Sequence, residues 1–194
     1  MEISINWLEK RRANKSLIDW FGDQPERDPV KVVNSIMKKN HNWANWLMIK
    51  ILDEKQQIKY VLYAAEKVLP ILKEKNPDDY KACEYIESAK RRLKDAEFIV
   101  GENEKSSEII YDNFLEYMKL ICKYQGYMAL YAEGAARAAF TAAAMYIGFA
   151  EYIENVALEG VRLAGVYCDS IGNDKNAMLD ILNYGLQLYT DNCK

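Results

Sequence analysis

The residues of this chain with chemistry to offer are few, and their spacing limits what that chemistry is. The single histidine, His41, lies in HNWANWL at 41–47 beside two of the four tryptophans, Trp43 and Trp46. One histidine supplies no His-rich metal site, and the flanking Asn40 and Asn42 suit a helix cap or turn, so a structural role is expected over proton transfer. Trp43 and Trp46, three residues apart, are expected to pack in a core rather than to form a ligand platform. Carboxylates occur in pairs at Asp78 and Asp79, Glu84 and Glu87, and Glu151 and Glu154. The first pair suits a helix N-terminus through the macrodipole alone. The other two are i, i+3 neighbours able to face one cation, but a di-metal helical bundle also needs Glu-x-x-His motifs, and none occurs. Nor does any GxGxxG, P-loop, GxSxG or HExxH pattern. The expectation is a non-enzyme with no catalytic residue, no cofactor and no metal.

Two charged residues stand out by their surroundings. Glu66 in YAAEKVL and Arg137 in EGAARAAF each interrupt a largely apolar helical stretch, and a partly buried charge requires a partner. We expect a Glu66–Arg137 ion pair between two halves of the protein, or a pocket between those halves lined by Trp46, Tyr63, Glu66 and Arg137.

Composition narrows the class further. Lys and Arg number 26 against 29 Asp and Glu, and the signs are interspersed. No basic stripe of the kind that binds nucleic acid is present, and a net charge of −3 is too small for a nucleic-acid mimic. Cys83, Cys122, Cys168 and Cys193 form no CxxC pair, so a structural zinc is not expected. The opening MEISINWLEKRRANK has no apolar secretory core, which favours reduced thiols and a cytoplasmic location. The longest apolar run, AAFTAAAMYIGFA at 138–150, falls short of the roughly 20 residues that span a bilayer. No membrane association is expected.

The elements that must position these residues read as helices. Apolar residues recur at helical spacing almost throughout, with few alternating β-branched runs, so the expected class is all-α, a bundle or irregular array of about seven to eight helices in one domain, 1–194. Halves at 1–96 and 107–194 would be joined by a polar loop near 97–106. Ser4 is the expected cap of a first helix reaching the WFGD break at 20–23. Asp28 with Pro29 starts a second helix, HNWANWL a third over 42–52, and Asp53 caps a fourth, which Pro70 should kink. Asn76 and Pro77 repeat the cap-then-proline signal. The Ala- and Gly-rich segment at 127–170 predicts two closely approaching helices, and a last helix spans 175–190.

Most of the chain from residue 40 onward resembles the immunity-protein family (Imm-5-like) of bacterial polymorphic toxin systems. The W-x-x-W-L helix, the A-A-E-x-V-L helix, the proline and acid turn leading to Y-I-E-S-A, and the late alanine-rich helix carry the resemblance. It implies an all-helical cytoplasmic protein that binds and neutralises a cognate toxin; related sequences look like ones carried by phages and mobile elements. The turn here departs from the family's P-x-D-D-R-P-R-x-A-I-E pattern. Lys81, Ala82 and Cys83 stand where Arg, Pro and Arg are expected, which removes two bidentate anion binders, while Asp79 and Glu87 match.

The expected function is therefore that of an inhibitor acting through a protein interface of about 800 Å² per partner. Asp78, Asp79, Glu84 and Glu87 form the candidate partner-binding patch, acidic enough to suit a nuclease. An inhibitor of a bacterial defence complex is an alternative, and a small-ligand binder or enzyme with the pocket between the halves is another.

Overall fold

The computed structural model describes residues 1–75, 80–95, 104–123, 128–145, 150–171 and 175–192. These form ten helices: α1 (Ile5–Lys10), α2 (Lys15–Gly22), α3 (Pro29–Met37), α4 (His41–Ile51), α5 (Glu54–Lys75), α6 (Lys81–Asp95), α7 (Glu104–Lys123), α8 (Met128–Met145), α9 (Ala150–Ile171) and α10 (Lys175–Asn192). The all-α class holds, with no strand among the described residues. The count exceeds the expected seven to eight partly because the first predicted helix is two. Arg12 takes a left-handed φ of 58°, and Asn14 then accepts a hydrogen bond from the Leu17 amide at 2.8 Å, capping a new helix.

The other polar caps follow from side-chain chemistry. Ser4 accepts from the Trp7 amide and Asp28 from the Lys31 amide, with Pro29 in the first turn. Asp53 and Gln56 exchange backbone-to-side-chain bonds in both directions, a capping box at the start of α5. At the head of α4 the cap is Asn40, accepting from the Trp43 amide at 3.1 Å, and His41 is the first helical residue, half-buried. α5 runs through Pro70 as one helix. The predicted cap at Asn76 and Pro77 lies outside the described residues, as does most of the predicted polar loop, although α7 begins at Glu104, inside the stretch read as loop.

One buried cluster extends from Ile3 to Leu186. At its centre α8 packs against α5, α6, α7 and α9, and α5 also packs against α9 and α10. Helices from both predicted halves thus share one core. The small residues act as expected: Ala135, Ala138, Ala139, Ala142 and Ala143 of α8 are buried, and Gly160 of α9 lies where an added Cβ would come within 2.6 Å of the Ala138 Cβ and collide with Val61. No helix among the described residues is long and apolar enough to cross a membrane.

Candidate functional site

The tryptophans of HNWANWL are not fully buried. α4 turns Ala44, Asn45, Leu47, Met48 and Ile49 inward, which leaves Trp43 and Trp46 half-buried at the flanks. Trp43 meets Trp20 with ring centroids 6.5 Å apart, and the Lys50 ammonium lies 5.6 Å from the Trp46 ring. The Trp43 and Trp46 rings pack against the core from its edge rather than being enclosed in it. The sequence reading overlooked Asn45. It is buried and accepts a 2.6 Å hydrogen bond from the Tyr60 hydroxyl, while its amide donates to the Met178 sulfur at 3.3 Å. Burial pushes the Tyr60 hydroxyl well above its ordinary pKa.

The predicted Glu66–Arg137 ion pair is not formed. Glu66 pairs with Lys90 of α6 at 2.8 Å, and Arg137 pairs with Glu133 one turn earlier on its own helix at 3.1 Å. Lys90 is also held by Glu87 at 2.9 Å, and Glu66 foremost and then Glu87 raise its pKa. Among the described residues, Lys50 with Glu154 and Lys67 with Asp180, the latter at 2.9 Å, link the two halves. Lys50 is the more enclosed, with 13 % of its side chain exposed. Tyr63 stacks on Tyr184 of α10, centroids 4.1 Å apart. Among the described residues, Trp46, Tyr63, Glu66 and Arg137 accordingly have partners of their own. Arg137 is satisfied by a partner one turn away on its own helix and Glu66 by one on the neighbouring α6, a choice that residue type and burial alone do not reveal.

Arg137 does line a cleft, in a different place. About 220 Å³ of space lies between α6, α7 and α8, bounded by Tyr85, Asn113, Phe114, Arg137, Phe140 and Thr141. The guanidinium carbon is 4.2 Å from the Tyr117 ring centroid and 4.7 Å from that of Tyr85, so the planar group is flanked by two tyrosines. Glu133, with 11 % of its side chain exposed, accepts from the Arg137 Nε. Tyr117 donates to the Leu130 carbonyl at 3.3 Å. Burial first, and the Glu133 carboxylate second, drive the Tyr117 hydroxyl far above its usual pKa, so it stays neutral.

The acidic patch is described in part. Asp78 and Asp79 lie outside the described residues. Glu84 and Glu87 are exposed near the start of α6, preceded by Tyr80, whose carbonyl accepts the Glu84 amide and whose side chain is a large exposed aromatic at 66 %. The opposite side of the helix, with Ala82, Ile86 and Ala89 buried, fixes it against the bundle. Among the described residues no group of three His, Cys, Asp or Glu side chains gathers as metal ligands would. Cys83 is half-buried and Cys168 buried.

Fold and geometry together define a helical bundle with an exposed Tyr80 just before α6, exposed Glu84 and Glu87 on that helix, and an arginine cleft lined partly by the same helix. No family model matches the chain, and neither the curated proteins nor the solved structures contain a match.

Proposed function

We propose that this protein is a non-enzymatic, cytoplasmic inhibitor of the immunity-protein kind, binding and neutralising a bacterial toxin or effector through a preformed helical surface. The observation that carries the reading is Tyr80 with Glu84 and Glu87. An exposed aromatic ring just before a helix that carries two exposed carboxylates and is packed on its other side has the composition of an interface anchor with a charged surround. A surface already rigid before binding loses little entropy on association. The carboxylates suit a basic partner such as a nuclease, whose approach they would steer.

The experiment is a capture from the native host with tagged wild-type protein and with a Tyr80→Ala, Glu84→Lys double variant, followed by an activity assay on whatever discriminates between them. The expected result is one protein retained by the wild type and lost by the variant, its toxic activity suppressed when the purified wild type is added. Equal retention by both baits, or a captured protein whose activity is unaffected, would contradict the proposal.

A further inference from the structure

The exposed side of α6 carries a charged stripe with a direction. Glu84, Glu87, Arg91 and Lys94 are all exposed, and their spacing of three, four and three residues keeps them on one line along the helix. By the same geometry Lys81 and Arg92 fall on one flank of that line and Lys90 on the other. The helix macrodipole favours acid early and base late, as with Glu84 in the first turn and Lys94 in the last. It does not require the four to share one exposed line.

The charges of this stripe are largely unspent within the chain. Among the described residues neither Glu84 nor Lys94 has an ion pair, and Arg91 donates to the Ser88 hydroxyl alone, at 3.2 Å. Glu87 shares Lys90 with Glu66. The opposite side of the helix is already occupied, because Ala82, Ile86 and Ala89 are buried against the bundle. A second α6 laid antiparallel on the stripe supplies what each end lacks. With a two-fold axis at the level of residue 89, Glu84 faces Lys94 of the second copy and Glu87 faces its Arg91, and the symmetry repeats both pairs. A parallel pairing in register would instead set like charges together, so the pattern also selects the orientation. We infer that the exposed face of α6 is an isologous, antiparallel contact between two copies of this chain. The contact is weak and salt-sensitive, since exposed ion pairs each contribute little and one helix pair buries less than the roughly 1,200 Å² of a standard interface. It covers Glu84 and Glu87 and so competes with the partner proposed above, but it is read on the protein alone and stands or falls without that partner.

The test is sedimentation equilibrium of the full chain at about 50 mM and about 500 mM salt. Two variants accompany the wild type: Glu84→Lys, which places like charges opposite each other at both ends of the contact, and Glu84→Lys with Lys94→Glu, which exchanges the two signs and keeps the antiparallel match. The expected result is a wild-type dimer forming at about 0.1–1 mM protein in low salt, with its association constant lowered about tenfold or more in high salt. Glu84→Lys is expected to weaken association to a similar extent and the double variant to recover it, all three proteins melting at the same temperature because both positions are exposed. A wild type that stays monomeric throughout that range, a Glu84→Lys that dimerises like the wild type, or a double variant that recovers nothing would each overturn the inference.

Discussion

Tyr60 shows how one side chain ties stability to pH. Its hydroxyl is buried and neutral, with a pKa well above the ordinary value of 10.0, whereas the unfolded chain ionises it near that value. Because the folded pKa is raised, the stabilisation is complete below about pH 10 and is lost as pH climbs above it, where the unfolded state sheds the proton first. Denaturant unfolding followed from pH 8 to 11 is expected to show stability falling above about pH 10. In Tyr60→Phe that fall should be shallower, at a cost of about 1–2 kcal/mol at neutral pH from leaving the buried Asn45 oxygen without its donor. Tyr167 is the converse case. Its hydroxyl is buried with no hydrogen-bond partner among the described residues, so Tyr167→Phe should leave stability unchanged or raise it by up to about 1 kcal/mol in the same assay. A clear loss would mean that the hydroxyl has a partner such as a buried water.

At the scale of elements, close packing sets the limits. Gly185 of α10 occupies a point where an added Cβ would approach the Met48 Cγ at 2.6 Å and the Tyr60 Cε2 at 2.8 Å. Gly185→Ala should therefore destabilise by about 1–3 kcal/mol, read as a lowered melting temperature, even though alanine favours a helix in isolation. Much at this scale was legible beforehand. Ser4, Asp28 and Asp53 are caps because their short polar side chains reach amides two or three residues on, a local rule that needs no tertiary knowledge. The buried period of α5, Ile58, Val61, Leu62, Ala65, Val68 and Leu72, follows equally from helical geometry. What escaped was decided by competition between neighbours. The break between α1 and α2 depends on one left-handed residue, Arg12, of a type that seldom adopts that conformation. In α4 the apolar residues spread around most of the helix, so spacing did not reveal that Asn45 would turn inward and the tryptophans sit at the edge of the core. Glu66 and Arg137 were recognised as charges needing partners, but their partners were chosen by helix packing: Lys90 across α5 and α6, and Glu133 along α8. The Arg137 cleft required Tyr85 and Tyr117 to meet from separate helices, which no local pattern announces.

For the molecule as a whole, the shared core has a functional consequence. α6 packs on both α5 and α8, so the exposed face that carries Glu84 and Glu87 is anchored on elements from both parts of the sequence. Such a surface can bind without folding to do so, and substitutions on it should change affinity without changing stability. Glu87 illustrates this: its pairing with Lys90 is exposed on both sides, and charge reversal there should shift the melting temperature little. The most direct measurement is the affinity of the captured partner for the wild type, Tyr80→Ala and Glu84→Lys, each with its melting temperature recorded. The account requires at least about a thirtyfold loss for Tyr80→Ala, as for an interface hot spot, a smaller and salt-dependent loss for Glu84→Lys, and unchanged melting temperatures. Equal affinity in all three proteins would contradict it.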